Sequence, residues 1–155
     1  KKGWRVFLLG GRISAEKTAQ ILSSSYKSLQ IMYHGGPELD AEAKPKTKDV
    51  NLMEGVMVKK INQFKPHLLF VAFGAPKQEK WVAKWLSKLD IGGAMVVGGA
   101  FDYIAGSVKP PPKWVEEIEL EWLWRFLTQP YRIIRIFNAV IIFPLRVFWS
   151  KYFGY

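Results

Sequence analysis

The stretch HLLFVAFGAPKQEKWVAKWLSKL, His67 to Leu89, decides the fold. Its first half is an apolar run with no polar alternation that stops at Gly74. After Pro76 the apolar residues Trp81, Val82 and Trp85 recur at helical spacing among lysines. An unbroken apolar run of that length marks a strand covered on both faces, and the change of period marks entry into a helix. The same pattern recurs along the chain. WRVFLLGG (4–11) reads as a buried strand ending in a glycine pair, SAEKTAQILSSSY (14–26) as a helix with Ser14 as its N-cap, and LQIMYH (29–34) as a second strand. VNLMEGVMVKKINQF (50–64) reads as a helix despite Gly55, and GAMVVGGA (93–100) as a fourth strand. Residues 35–49, rich in glycine, proline and lysine, read as a loop. Strands alternating with helices predict an α/β fold: a Rossmann-like parallel sheet with helices on both faces over residues 1–112, followed by a C-terminal helical amphipathic appendage over 113–155.

Composition narrows the chemistry. The chain has 155 residues, no cysteine and two histidines, His34 and His67, so it holds neither a disulfide framework nor a thiolate metal site. No metal ligands and no cofactor are expected. A formal net charge of +10 points to anionic partners such as phosphate or lipid headgroups. The 34 residues after Glu121 carry Arg125, Arg132, Arg135, Arg146 and Lys151 and no acid, interleaved with Ile, Phe and Trp. Only ten residues separate Arg135 from Arg146, Asn138 among them, whereas a spanning helix needs about 20 apolar residues. The composition is that of an interfacial segment attracted to an anionic membrane surface. A groove reader would interleave its arginines with polar residues, so no nucleic-acid partner is expected.

In open α/β sheets ligands bind beyond the carboxyl ends of the strands, so the strand-to-helix junctions LLGGRIS, FGAPKQE and VGGAFDYIAGSVKPPPKW are where a site is sought. Gly10, Gly74, Gly98 and Gly99 stand where backbone must turn or let a ligand approach. Pro76 fits the first helical turn, whose free N–H groups can receive an anion, and Gln78 and Glu79 would project from that turn toward the mouth of the sheet. Each has a plainer reading. Pro and Glu in a first turn are ordinary helix-start chemistry, and the glycine pair lacks the third glycine of a dinucleotide fingerprint. Asp102 would cap a turn, and His34 and His67 would be structural or solvent-exposed. Lys77, Lys80, Lys84 and Lys88 would form a solvated face, and Trp81 and Trp85 would belong to the core.

Taken in order, GAPKQEKW (74–81), VGGAFDYIAGSVKPPPKW (97–114) and LEWLWRFLTQPYRIIR (120–135) resemble the C-terminal part of the WecG/TagA/CpsF family of bacterial glycosyltransferases. RVFLLGG and INQFKPHLLFVAFGAP are similar to that family as well. KPPPKW departs from the arginine, alanine and proline that the family has before the lysine and tryptophan, so Lys109 stands for an arginine contact. The resemblance implies an inverting, metal-independent enzyme, peripheral on the cytoplasmic face of the cell membrane. Such an enzyme transfers N-acetylmannosamine or a related sugar from a UDP-sugar donor to a polyprenyl-diphosphate-linked sugar acceptor, in teichoic acid, common antigen or capsule synthesis. The resemblance places Gln78 near the donor sugar and diphosphate, Gly98, Gly99 and Asp102 near the nucleoside, and Arg125, Arg132 and Arg135 over the diphosphate. The family's proposed general base is an aspartate expected upstream of Lys1, so no catalytic residue is assigned within this chain. Two other classes stay open, a non-catalytic UDP-sugar-binding fragment and a basic membrane-associated adaptor. The donor sugar and assembly as a homo-oligomer stay open too.

Overall fold

The computed structural model describes residues 3–46, 50–120, 123–124, 137 and 141–153, with residues 50–54, 116 and 152–153 described by their backbone alone. The elements run β1 (Arg5–Gly10), α1 (Ile13–Ser25), β2 (Gln30–His34), α2 (Val50–Phe64), β3 (Leu68–Ala72), α3 (Lys77–Trp85), β4 (Ala94–Val96) and α4 (Ala100–Ile104). These lie in a first compact unit, Lys1–Lys109; a second, Pro110–Tyr155, holds α5 (Lys113–Glu117) and α6 (Phe143–Phe153). The division follows Lys109, where the sequence reading drew it after Pro112.

The four strands form one parallel sheet in the order β2-β1-β3-β4. Central β1 pairs on both sides, Val6 lying opposite Ile31 of β2 and Leu68 of β3. Its side chains alternate between two cores, as the two-residue period of a strand requires. Phe7 and Leu9, with Leu69 and Val71 of β3, meet Met57 and Ile61 of α2 and Trp81 of α3. Val6 and Leu8 meet Ala15 and Ala19 of α1 and Phe101 of α4. Helices therefore cover both faces, which is why β1 carries no polar residue between Val6 and Leu9.

Trp81 is fully buried and packs edge-on against Phe73, with ring centroids 5.8 Å apart. Its indole N–H has no hydrogen-bond partner among the described residues. That omission costs about 1–3 kcal/mol. Burying roughly 150–250 Å² of aromatic side chain at about 25 cal/mol per Å² outweighs it. Core packing thus fixes this helix, as expected of Trp81, while Trp85 packs partly buried at the core's edge beneath Lys84 and Lys88.

Helix starts differ from the sequence reading in two places. Ser14 lies inside the first turn of α1 and does not cap it; Arg12 occupies the cap position with φ 44° and makes no capping bond. The Ser14 hydroxyl instead donates to the Asp102 carboxylate on α4, 88 residues away. Pro76 precedes α3 as its cap residue, one position before the first turn.

In the second unit, α6 exposes Phe143, Leu145, Val147, Phe148 and Trp149, with Arg146 among them and Lys151 just after. Among the described residues no helix is long and apolar enough to cross a membrane.

Candidate functional site

The helix after β1 lies on one face of the sheet and the helix after β3 on the other. Between two such neighbouring strands the chain diverges and leaves a crevice at their carboxyl ends, the topological switch point where open α/β sheets hold ligands. Gly10 closes β1 there with φ 94°, and a Cβ on it would lie 2.7 Å from the Ala72 carbonyl of β3. Only glycine meets both conditions, the left-handed turn and the backbone approach.

A cleft of about 270 Å³ opens at this point, walled by Arg12 beyond β1, Glu38 and Leu39 from the loop after β2, Phe73 beyond β3 and Lys77 at the start of α3. The Arg12 guanidinium meets Glu38 at 3.0 Å, and Lys46 meets the other carboxylate oxygen at 3.2 Å. Lys46 first, then Arg12, hold the Glu38 carboxyl below the usual carboxylate range. The Arg12 and Glu38 side chains are 71% and 52% exposed, so their pair adds little stability and is readily exchanged for another anion.

The cleft's outer wall is braced from α3. Lys77 Nζ donates to the Leu39 carbonyl at 2.7 Å; Lys80 Nζ donates to the Ala41 carbonyl at 3.1 Å and pairs with Glu42 at 2.7 Å. These two lysines are therefore tethers of the 35–46 loop, and the solvated-face reading is corrected for them. Within the loop, Asp40 accepts N–H bonds from Glu42 and Lys44, which hold its carboxyl below the usual range. Leu39 and Ala43 turn inward to the core. At its start, His34 Nδ1 accepts the Gly36 N–H at 3.0 Å. Burial, and then the charge of Lys60, lower the His34 pKa and favour the neutral ring that this bond needs.

A second cluster joins the exits of β3 and β4. Gln78 is 6% exposed. Its Oε1 accepts the N–H groups of Gly74 at 3.2 Å and Gly98 at 3.1 Å, and its Nε2 donates to Glu79 at 2.9 Å. The first-turn N–H groups of Lys77 and Gln78 both turn back onto the Gly74 carbonyl, at 3.0 and 3.2 Å. They are not free to receive an anion, as the sequence reading had them. The Gly99 carbonyl accepts the Asp102 N–H, and the Asp102 carboxylate is engaged by Ser14.

Of the residues expected to bind substrate, Gly74, Gln78, Glu79 and Gly98 thus meet in one cluster, Gly10 ends β1 next to the cleft-lining Gly11, Gly99 stands at the cap of α4 and Asp102 lies within that helix. Arg125, Arg132 and Arg135 lie outside the described residues. Arg12, Glu38, Phe73 and Lys77, which wall the cleft, escaped the sequence reading, though Arg12 follows the glycine pair and Lys77 adjoins Pro76. His67 is structural, its Nδ1 accepting the Arg5 N–H at 2.9 Å. Among the described residues no group of three or more His, Asp or Glu side chains converges to hold a metal ion.

Comparison with known proteins gives this geometry its context. A family model described as glycosyl transferase, WecG/TagA/CpsF family, matches residues 1–155. Proteins named N-acetylglucosaminyldiphosphoundecaprenol N-acetyl-beta-D-mannosaminyltransferase, from Staphylococcus aureus strains NCTC 8325, COL and MSSA476, are each 30% identical to it over 148 residues. The match takes in 95% of this chain and 53% of each relative, so the chain spans about half the length of the curated relatives it matches.

Proposed function

The chain belongs to the WecG/TagA/CpsF family of glycosyl transferases, and on that premise we propose that it forms the donor-binding part of an enzyme that moves N-acetylmannosamine or a related sugar. The donor is a UDP-sugar and the acceptor a polyprenyl-diphosphate-linked sugar, the class named in the relatives from Staphylococcus aureus. The observation that carries this reading is the cleft at the β1/β3 switch point with Arg12 and Lys77 on its walls. A donor diphosphate entering there takes Arg12 from Glu38 and exchanges one exposed anionic partner for another. As the glycosidic bond breaks, negative charge gathers on the departing UDP, and a guanidinium already in place stabilises it without reorganisation. Phe73 supplies an apolar wall suited to a base or sugar ring.

The general base that takes the acceptor's proton is assigned to no residue of this chain. The exposed aromatic and aliphatic residues of α6, set among Arg146 and Lys151, support docking to an anionic membrane surface, where a prenyl-linked acceptor resides. That reading places the protein at the cytoplasmic face, where nucleotide sugars are made.

Titration calorimetry with UDP tests the donor site. Binding that weakens about tenfold in Arg12→Ala, the scale of losing one charge-assisted contact, with an unchanged unfolding curve, is the expected result. Equal affinity of the two proteins for UDP would remove Arg12 from the site.

A further inference from the structure

Gln78 combines deep burial with three side-chain contacts, all internal. Its amide orientation is fixed by chemistry, since the two backbone donors demand the oxygen and the Glu79 carboxylate demands the NH₂ group. The N–H groups of Gly74 and Gly98, in separate strand-exit loops 24 residues apart, converge on that one oxygen. Both glycines are left-handed, at φ 78° and 55°, and a Cβ built on either would meet nothing within 4 Å. The carboxamide joins the two loops there, and the backbone closes the ring, with Gln78 N–H returning to the Gly74 carbonyl.

We propose that Gln78 is a positioning residue that locks the β3–α3 and β4–α4 loops into one rigid pair and acts on a bound UDP-sugar through Phe73 and Lys77, without touching it. Phe73 precedes Gly74 and Lys77 precedes Gln78, so both cleft walls are set by the brace. This inference rests on the UDP reading of the cleft, and two variants of the full chain separate the two. Gln78→Glu keeps an acceptor for both N–H groups and replaces the NH₂ group with an oxygen that shares one proton with the Glu79 carboxylate. Gln78→Leu removes the acceptor and leaves two half-buried donors without it.

Amide exchange followed by NMR without ligand should accelerate about tenfold or more at both Gly74 and Gly98 in Gln78→Leu, and stay within about threefold of the original in Gln78→Glu. UDP affinity should follow the same order, falling about tenfold in Gln78→Leu and holding in Gln78→Glu. If Gln78→Leu does not fold, Gln78→Ala, which admits water to the same donors, reads the same exchange. Loss of UDP binding in Gln78→Glu with both amides still protected would mean that the ligand reads the carboxamide directly, and the proposal fails. It fails equally if both amides are released and UDP binding is unmoved. A native chain that binds no UDP sinks the donor-site reading alone, and the exchange pattern then decides the brace.

Discussion

At the β1 side of the sheet mouth, Arg12 and Glu38 pair on the wall of an open cleft with 71% and 52% of their side chains exposed; at the β4 side, Gln78 is 6% exposed and its oxygen serves two backbone N–H groups. Both places are strand exits with left-handed glycines, and both bring backbone from distant segments together. They differ in what satisfies the polar groups. The first uses exposed charges at the surface, where solvent or a ligand anion can replace a partner at little cost. The second uses a neutral amide whose oxygen serves two half-buried backbone N–H groups at once, so removing it unmakes both bonds. A polar residue at a strand exit is thus open to a ligand only where its partners are exchangeable.

The largest test of this contrast uses the two exits' glycines. Gly10→Ala forces a Cβ against the Ala72 carbonyl at a left-handed position, and should destabilise by about 3 kcal/mol or more. Gly74→Ala meets open space and should lose only the conformational part, about 1–2 kcal/mol. Urea denaturation of both measures the gap, and equal losses would contradict a steric reason for Gly10.

A smaller effect sharpens the functional half. Arg12 holds φ 44° without being glycine, a conformation that costs free energy and persists where something requires the side chain. Arg12→Gly should raise stability by about 0.5 kcal/mol, the left-handed penalty less the added chain entropy, while UDP binding falls as in Arg12→Ala. A variant that loses stability would show that the guanidinium serves the fold.

The smallest effect is in pH. His34 has its folded-state pKa lowered by burial and Lys60, so its contribution to stability is complete above the ordinary imidazole value of about 6.5 and is lost as pH falls through the folded value. Protonation at Nδ1 removes the acceptor for Gly36 N–H and loosens the loop that bears Glu38. The His34 ring protons should titrate with a midpoint below about 6.5, and the Gly36 amide shift should follow them; a midpoint above that would reverse the sign.

Much of this molecule could be read before any coordinates. The apolar runs containing Val6 to Leu9 and Leu68 to Ala72, with Trp81 and Trp85 at helical spacing, specified parallel strands and covering helices, because periodicity is a local property of a chain whose core is continuous. The glycines at the exits were legible for the same reason, since a sharp turn leaves its mark in the residue that makes it. The motifs of 74–81 and 97–114 carried the family. Three readings failed, two on partners that lie far along the chain and one on a carbonyl three or four residues back. Ser14 has the chemistry of an N-cap, yet its hydroxyl serves Asp102. Lys77 and Lys80 have the spacing of a solvated face, yet they tether a loop nearly forty residues earlier. The first turn of α3 has the composition of an anion site, yet its N–H groups are taken by Gly74.

By itself the sequence determined the order of elements, the two-faced sheet, the strand exits and the family, all consequences of residue type and short-range spacing. Only the tertiary structure decided that Arg12, Glu38, Phe73 and Lys77 wall a cleft while Gln78 is drawn into a brace. A hydrogen bond forms with whichever partner the fold brings within about 3 Å, and for these side chains that distance is set by how β1, β3 and β4 lie side by side.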